Sequence, residues 1–300
     1  MTYSLFVGAG KWQAAASETA TQGFFGLDAD ARWQPLSNGL PDQVEVRSIV
    51  LHPDRPDTIY AGTQMGPYRS KDAGESWHSL TLPEGTPDED RVVWSICLDP
   101  SDPETIYVGT QNTAVFRSRN GGQGFERLVI PEPEGVVCAS FAMRVIRIAV
   151  AADDPNHILV AFEIGGLVRS RDGGNNWESC NSDLLSLSRQ GHLRSAIISD
   201  QDTEGMMDSH ALVFDPGDQD TVWLANRMGL FRSEDGGEHW SEFGIGQYSP
   251  LTYARDIQAS RHQPNRMYAA LSLAAACDEG SLYRSDDRGQ SWNRFDHDVD

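Results

Sequence analysis

Arg69-Ser-Lys-Asp72-Ala-Gly74-Glu-Ser-Trp77 decides the fold, because the chain keeps returning to it. It recurs as Arg117-Ser-Arg-Asn120-Gly-Gly122-Gln-Gly-Phe125 and as Arg169-Ser-Arg-Asp172-Gly-Gly174-Asn-Asn-Trp177. Two further copies read Arg232-Ser-Glu-Asp235-Gly-Gly237-Glu-His-Trp240 and Arg284-Ser-Asp-Asp287-Arg-Gly289-Gln-Ser-Trp292. A degenerate first copy keeps Asp28 and Trp33 at the same separation but lacks the Ser and Gly. The terminal aromatics lie 44, 48, 52, 63 and 52 residues apart, the length of a four-stranded propeller blade with its loops.

The pattern Ser-x-Asp-x-Gly-x-x-Trp is that of a tight turn between two strands. The Asp side chain accepts backbone N–H groups across the turn, Gly supplies a left-handed position, and Trp anchors the strand that follows. Residues repeated in every blade are read as structural, and so are Arg69, Arg117, Arg169, Arg232 and Arg284. A second phrase precedes the box, as in Ser48-Ile-Val-Leu-His-Pro-Asp-Arg-Pro56-Asp-Thr-Ile-Tyr-Ala-Gly-Thr63: two β-rich runs around a Pro/Asp turn, the first two strands of a blade. Strand three then ends at the box and strand four starts at its aromatic residue. The sequence therefore predicts an all-β, six-bladed β-propeller as a single domain. Its blades fall at about 3–36, 44–81, 91–129, 143–181, 209–243 and 254–296, with an insertion at 181–208. The first blade lacks its strand one, so either one blade has three strands or the natural chain continues past Asp300.

Composition narrows the function. The formal charge of −20 argues against nucleic acid and anionic membranes. No run approaches the ~20 apolar residues of a membrane span. The N-terminus lacks a basic region before its short apolar stretch, so a cytoplasmic location is expected. Cys97, Cys138, Cys180 and Cys277 form no CxxC pair and read as free thiols, Cys97 as a buried one. No phosphate loop, nucleophile elbow or dinucleotide fingerprint is present, the Gly-Gly pairs belonging to the repeated turns.

On these repeats the whole chain resembles the BNR/Asp-box propeller superfamily, which includes sialidases and other glycoside hydrolases, sortilin-type receptors and photosystem II stability factors. The resemblance implies a ligand site on the face opposite the boxes. Sialidases hold a carboxylate with three arginines and use a Tyr–Glu nucleophile pair with an Asp acid/base. Their early Arg-Ile-Pro motif is absent here, which counts against a true sialidase. A fold shared this widely leaves the activity open.

In a propeller, strand one lines the central channel, so its first residues point toward an axial pocket. Those positions are Arg47, Trp94, Ile146, His210 and Arg255, and they depart from the repeat consensus. Arg144, Arg147, Asp208, Tyr253 and Asp256 lie near them, and the loops after strand two add Gln64, Gln111, Glu163 and Arg227. This is an Arg/His cluster suited to a carboxylate, sulfate or phosphate, since guanidinium forks bind such groups bidentately. The alternative is that the arginines pair with neighbouring carboxylates and plug the channel, and that His210 is a hydrogen-bonded core histidine. The insertion is a candidate lid. Its Asp200, Asp202 and Glu204 could ligate Ca²⁺, although a short acidic run is usually only solvated; no other cofactor or metal is expected.

Two functions stay open. One is a glycosidase-like hydrolase or lyase acting on an acidic sugar or similar anionic small molecule. Arg47, Arg147 and Arg255 would hold the anion, two of Glu163, Asp208 and Asp256 would serve as acid, base or nucleophile, and Tyr253 would assist. The other is a non-catalytic propeller that binds a protein partner, for which an apolar patch around Trp12 and the 273–280 loop would speak.

Overall fold

The computed structural model describes residues 3–10, 22–260 and 262–296, so Trp12 lies outside the described residues. Among them the chain forms six antiparallel meander sheets, five of four strands and one of three, which defines the six-bladed β-propeller class. It divides into two compact units, Met1–Val129 and Ile130–Asp300, of three sheets each.

In the first unit, the sheets are Leu5–Ala9, Gly23–Leu27 and Trp33–Pro35; then Val46–His52, Arg55–Thr63, Gly66–Ser70 and His78–Ser79; then Val93–Leu98, Ile106–Thr110, Val115–Ser118 and Glu126–Leu128. The second unit opens with Val145–Val150, Ile158–Phe162, Gly166–Ser170 and Glu178–Ser179. Next come Ser209–Asp215, Asp218–Asn226, Gly229–Ser233 and Ser241–Glu242, and last Tyr253–Ala259, Met267–Ser272, Gly280–Ser285 and Asn293–Arg294. Second strands such as Ile106–Thr110 and Ile158–Phe162 are buried along their whole length. The outer strands of the second, fourth, fifth and sixth sheets are two exposed residues long, which leaves little edge for another chain to pair with.

The repeated turn shows why its residues are needed. Ser70 Oγ donates to Asp72 Oδ1 at 2.7 Å and accepts the Gly74 N–H at 2.8 Å. Asp72 Oδ1 in turn accepts the Ser76 N–H at 2.8 Å. Ser170 with Asp172, Ser233 with Asp235 and Ser285 with Asp287 repeat the arrangement, and Asn120 reproduces it beside Ser118. The residue between the Asp and the Gly is also left-handed, with φ of 57° at Ala73 and 66–70° at Gly121, Gly173 and Gly236. That second positive φ explains the Gly-Gly pairs in three copies. The N–H of this residue bonds the turn between the first two strands of its own sheet, as Gly121 does to the Glu104 carbonyl at 2.9 Å. In the second, third, fifth and sixth sheets the Gly that follows sits hard against the preceding sheet: a β-carbon at Gly289 would lie 2.5 Å from Trp223.

The box aromatic precedes the fourth strand rather than starting it. The indoles of Trp177, Trp240 and Trp292 fold back to donate to the carbonyls of Gly174, Gly237 and Gly289, each at 3.1 Å. Cys97 is half-buried rather than buried, and all four cysteines are free thiols. No helix of the described residues is long and apolar enough to cross a membrane.

Ser170→Ala strands the buried Gly174 N–H and should cost about 1–3 kcal/mol in urea unfolding. Asp172→Asn should lower the melting temperature less than Asp172→Ala, because Asn120 already fills this place in the third sheet. Equal losses for the two Asp172 variants would show that charge, not the acceptor oxygen, holds the turn.

Candidate functional site

The five inner-strand positions share one backbone cause. In each four-stranded sheet the pairing of strands one and two slips by a residue at the strand entry. The slips fall between Val46 and Ser48, Val93 and Ser95, Val145 and Arg147, Ser209 and Ala211, and Ala254 and Asp256. The extra residues are Arg47, Trp94, Ile146, His210 and Arg255. A bulge frees one residue from the ladder and re-aims its side chain, so this position varies without disturbing the sheet.

In the first unit two of these residues meet. The Arg47 guanidinium lies 4.2 Å from the centroid of the Trp94 ring and pairs with Glu45 at 2.6 Å. Gln64 ties its loop to the segment entering the first strand, accepting the Glu45 N–H at 2.8 Å and donating to the Gln43 carbonyl at 3.0 Å. Gln111 joins the end of the second strand to the start of the first, its N–H bonding the Val92 carbonyl at 2.9 Å.

The second unit holds the richer cluster. His210 Nδ1 donates to the Ala254 carbonyl at 2.6 Å, and this acceptor fixes the tautomer. Its Nε2 therefore faces the Tyr253 hydroxyl at 3.3 Å and Asp208 Oδ2 at 3.5 Å. The His210 and Tyr253 rings stack with centroids 5.0 Å apart. Asp208 Oδ2 also accepts Nε and Nη2 of Arg227 at 2.9 and 2.7 Å. The other arm of Arg227 bonds Glu204, which is wholly buried and accepts the main-chain N–H groups of Ile197, Ile198 and Ser199.

The carboxyls of Glu163 and Asp208 are shifted in opposite directions from their ordinary range. Burial pushes the Glu163 carboxyl above its ordinary range and the Asp208 charge adds to this, while Arg144, bonded at 2.8 Å, only partly offsets both. Burial also works upward on Asp208, but the His210 contact and the Arg227 charge outweigh it and hold that carboxyl low. The unit thus places a carboxyl inclined to keep its proton in the field of one inclined to lose it.

The remaining candidates are tied internally. Arg147 pairs with Asp256 at 3.3 Å, both of them partly exposed. Arg144 lies over the Phe141 ring at 4.7 Å. Arg255 lies over the Tyr253 ring at 4.7 Å and donates to Ser272 Oγ and to the carbonyls of Ala274 and Ala275, clamping the 273–280 loop. Every arginine named for holding an anion already has its fork on a carboxylate or on main-chain carbonyls.

The insertion packs Leu184, Leu193, Met206 and Met207 into the core of the second unit. Glu204 turns inward to Arg227, and Asp202 faces Arg194 at 3.7 Å. Among the described residues no three His, Cys, Asp or Glu side chains converge as a metal site would require. The role of Glu204 escaped the sequence reading. Its signal was the Met206-Met207 pair beside it, which draws the short Glu204–Met207 helix into the core.

No family model matches the chain. The probable oligoxyloglucan-reducing end-specific xyloglucanase of Neosartorya fischeri is 26% identical over 252 residues, 79% of this chain but 28% of that protein's length. Among solved structures, the GH74 xyloglucanase of Xanthomonas campestris aligns with a TM-score of 0.64 and 22% identity, covering 83% of this chain and 37% of its own. YCF48 bound to D1 peptide aligns at 0.57 and 17% identity, covering 93% of this chain and 76% of its own. These likenesses define the class, a six-bladed β-propeller similar in fold to both proteins.

Arg227→Met leaves Glu204 and Asp208 buried without their cation and should cost about 3–5 kcal/mol in urea unfolding. Burial works to raise Glu204, but the Ser199 N–H and Arg227 outweigh it and hold it at about 2. A carboxyl lower in the folded than in the unfolded chain stabilises above the ordinary carboxylate range, and that contribution is lost as pH falls toward its folded value. Glu204→Gln should therefore flatten the acid limb of the stability profile; an unchanged limb would contradict this.

Proposed function

We propose that the protein is a glycosidase-like propeller hydrolase acting on an uncharged glucan of the xyloglucan kind. Glu163 is the proton donor to the leaving oxygen, and Asp208 is the carboxylate that faces the developing positive charge. The observation that carries this reading is that the Glu163 and Asp208 carboxyls are shifted in opposite directions, Glu163 up by burial and Asp208 down by His210 and Arg227, the kind of environmental difference that sets an acid apart from an ionised carboxylate. The stacked His210–Tyr253 pair adds a flat face and a hydroxyl beside Asp208. The xyloglucanase name of the curated relative supports an uncharged sugar. So does the engagement of Arg47, Arg147 and Arg255 by groups of this chain, which leaves the acidic sugar expected from the arginines without support.

A second reading, a non-catalytic propeller binding a protein segment, is favoured by one feature: each candidate carboxylate, Glu163, Asp208 and Asp256, is bonded to an arginine. The likeness in fold to YCF48 bound to D1 peptide is consistent with it.

Release of reducing ends from xyloglucan and its oligosaccharides tests the choice. Glu163→Gln should lower kcat by roughly 10²–10⁴ with little change in KM, as loss of a general acid does. Wild-type activity should fall as pH rises through the raised value of Glu163, because the donor must be protonated. Binding of xyloglucan without any new reducing ends would overturn hydrolysis, and absence of both would leave the protein-binding reading.

A further inference from the structure

The third sheet carries the one complete turn that has Asn in place of Asp, and this departure coincides with a pocket. Between the second and third sheets, on the side of the repeated turns, lies a cavity of about 250 Å³. It is lined by Arg55, Arg69, Lys71, Glu104, Asn120 and Gln123, with the wholly buried Tyr60 in its wall.

The matching cleft between the fourth and fifth sheets shows what has changed. There Arg169, the counterpart of Arg69, pairs with Glu178 across its own sheet at 2.6 Å and with Glu238 of the next turn at 3.3 Å. Arg171, the counterpart of Lys71, donates to the Asp235 carbonyl at 3.1 Å. In the second and third sheets all three acidic positions are gone. His78 stands in register with Arg69 where Glu178 faces Arg169. Gln123 replaces Glu238, and Asn120 replaces Asp235.

Arg69 consequently bonds a main-chain carbonyl, that of Gly121. Neither Arg69 nor Lys71 enters an ion pair among the described residues. The sole carboxylate in the lining is Glu104, already paired with Arg55 and 3.7 Å from His52 Nε2. With Arg55 and Glu104 neutralising each other, two cations, Arg69 and Lys71, face two amides, in a chain whose formal charge is −20.

We propose that this pocket binds the phosphate or sulfate group of a small ester. Arg69 and Lys71 supply the charge, Asn120 and Gln123 supply amide N–H donors, and the cavity has room for a group larger than the bare anion. The site is separate from the Glu163–Asp208 cluster and does not depend on the hydrolase reading.

Calorimetric titration of the full chain at low salt tests it, with inorganic phosphate, glucose 6-phosphate and glucose 6-sulfate as probes. The double variant Asn120→Asp, Gln123→Glu installs the residues that the fifth sheet already carries there, so folding is preserved. It should weaken binding at least about tenfold, as should Lys71→Met. A phosphate ester should bind more tightly as pH rises through its second ionisation, whereas a sulfate ester should not. Absence of binding by every probe at millimolar concentration would overturn the proposal, as would equal binding by the wild type and the double variant.

Discussion

A serine hydroxyl at the end of the third strand of each four-stranded sheet carries the architecture. In one contact pair it donates to the turn's Asp or Asn and accepts the N–H of a left-handed Gly. A chain that reverses direction there would otherwise bury an unpaired N–H, which costs more than the bond itself is worth. With the reversal satisfied from within, the Gly presses against the preceding sheet and the neighbouring N–H ties the turn to the hairpin beside it. The turns are fixed in this way, and variation is left to the strand entries, where a bulge in each four-stranded sheet presents one unconstrained side chain.

Much of this was legible in the residues. Ser, Asp, Gly and Trp at fixed spacing gave the sheet count and the place of each reversal, because each residue type answers a local backbone demand. The non-consensus strand entries at Arg47, Trp94, Ile146, His210 and Arg255 were visible for the converse reason, since a bulged residue answers no such demand. The second left-handed position was less visible, because Ala73 and Arg288 occupy it as well as Gly. The side-chain pairings were not legible. Arg227 reaches both Glu204 and Asp208 from a loop about twenty residues away, and nothing local in the sequence says which carboxylate a long guanidinium will find.

That pairing reshapes the chemistry expected of the site. Arginines counted along the sequence look like an anion trap, yet in the fold they are consumed by Glu45, Glu163, Asp208, Asp256 and the carbonyls of Ala274 and Ala275. What the second unit retains is a pair of carboxyls shifted in opposite directions, by burial on one side and by His210 and Arg227 on the other. Arg69 and Lys71, which enter no ion pair among the described residues, lie instead among the repeated turns, where three acidic positions have become His78, Asn120 and Gln123.

The central claim is that burial holds the Glu163 carboxyl above its ordinary range while His210 and Arg227 hold Asp208 below its own. Infrared difference titration of the wild type against Glu163→Gln reads this directly, across roughly pH 4 to 8. The account predicts that a protonated carboxyl band, absent from the variant, persists well above the pH at which ordinary glutamates lose theirs. A Glu163 band that disappears with the bulk carboxylates would contradict it, and would leave Arg144–Glu163 as a plain ion pair.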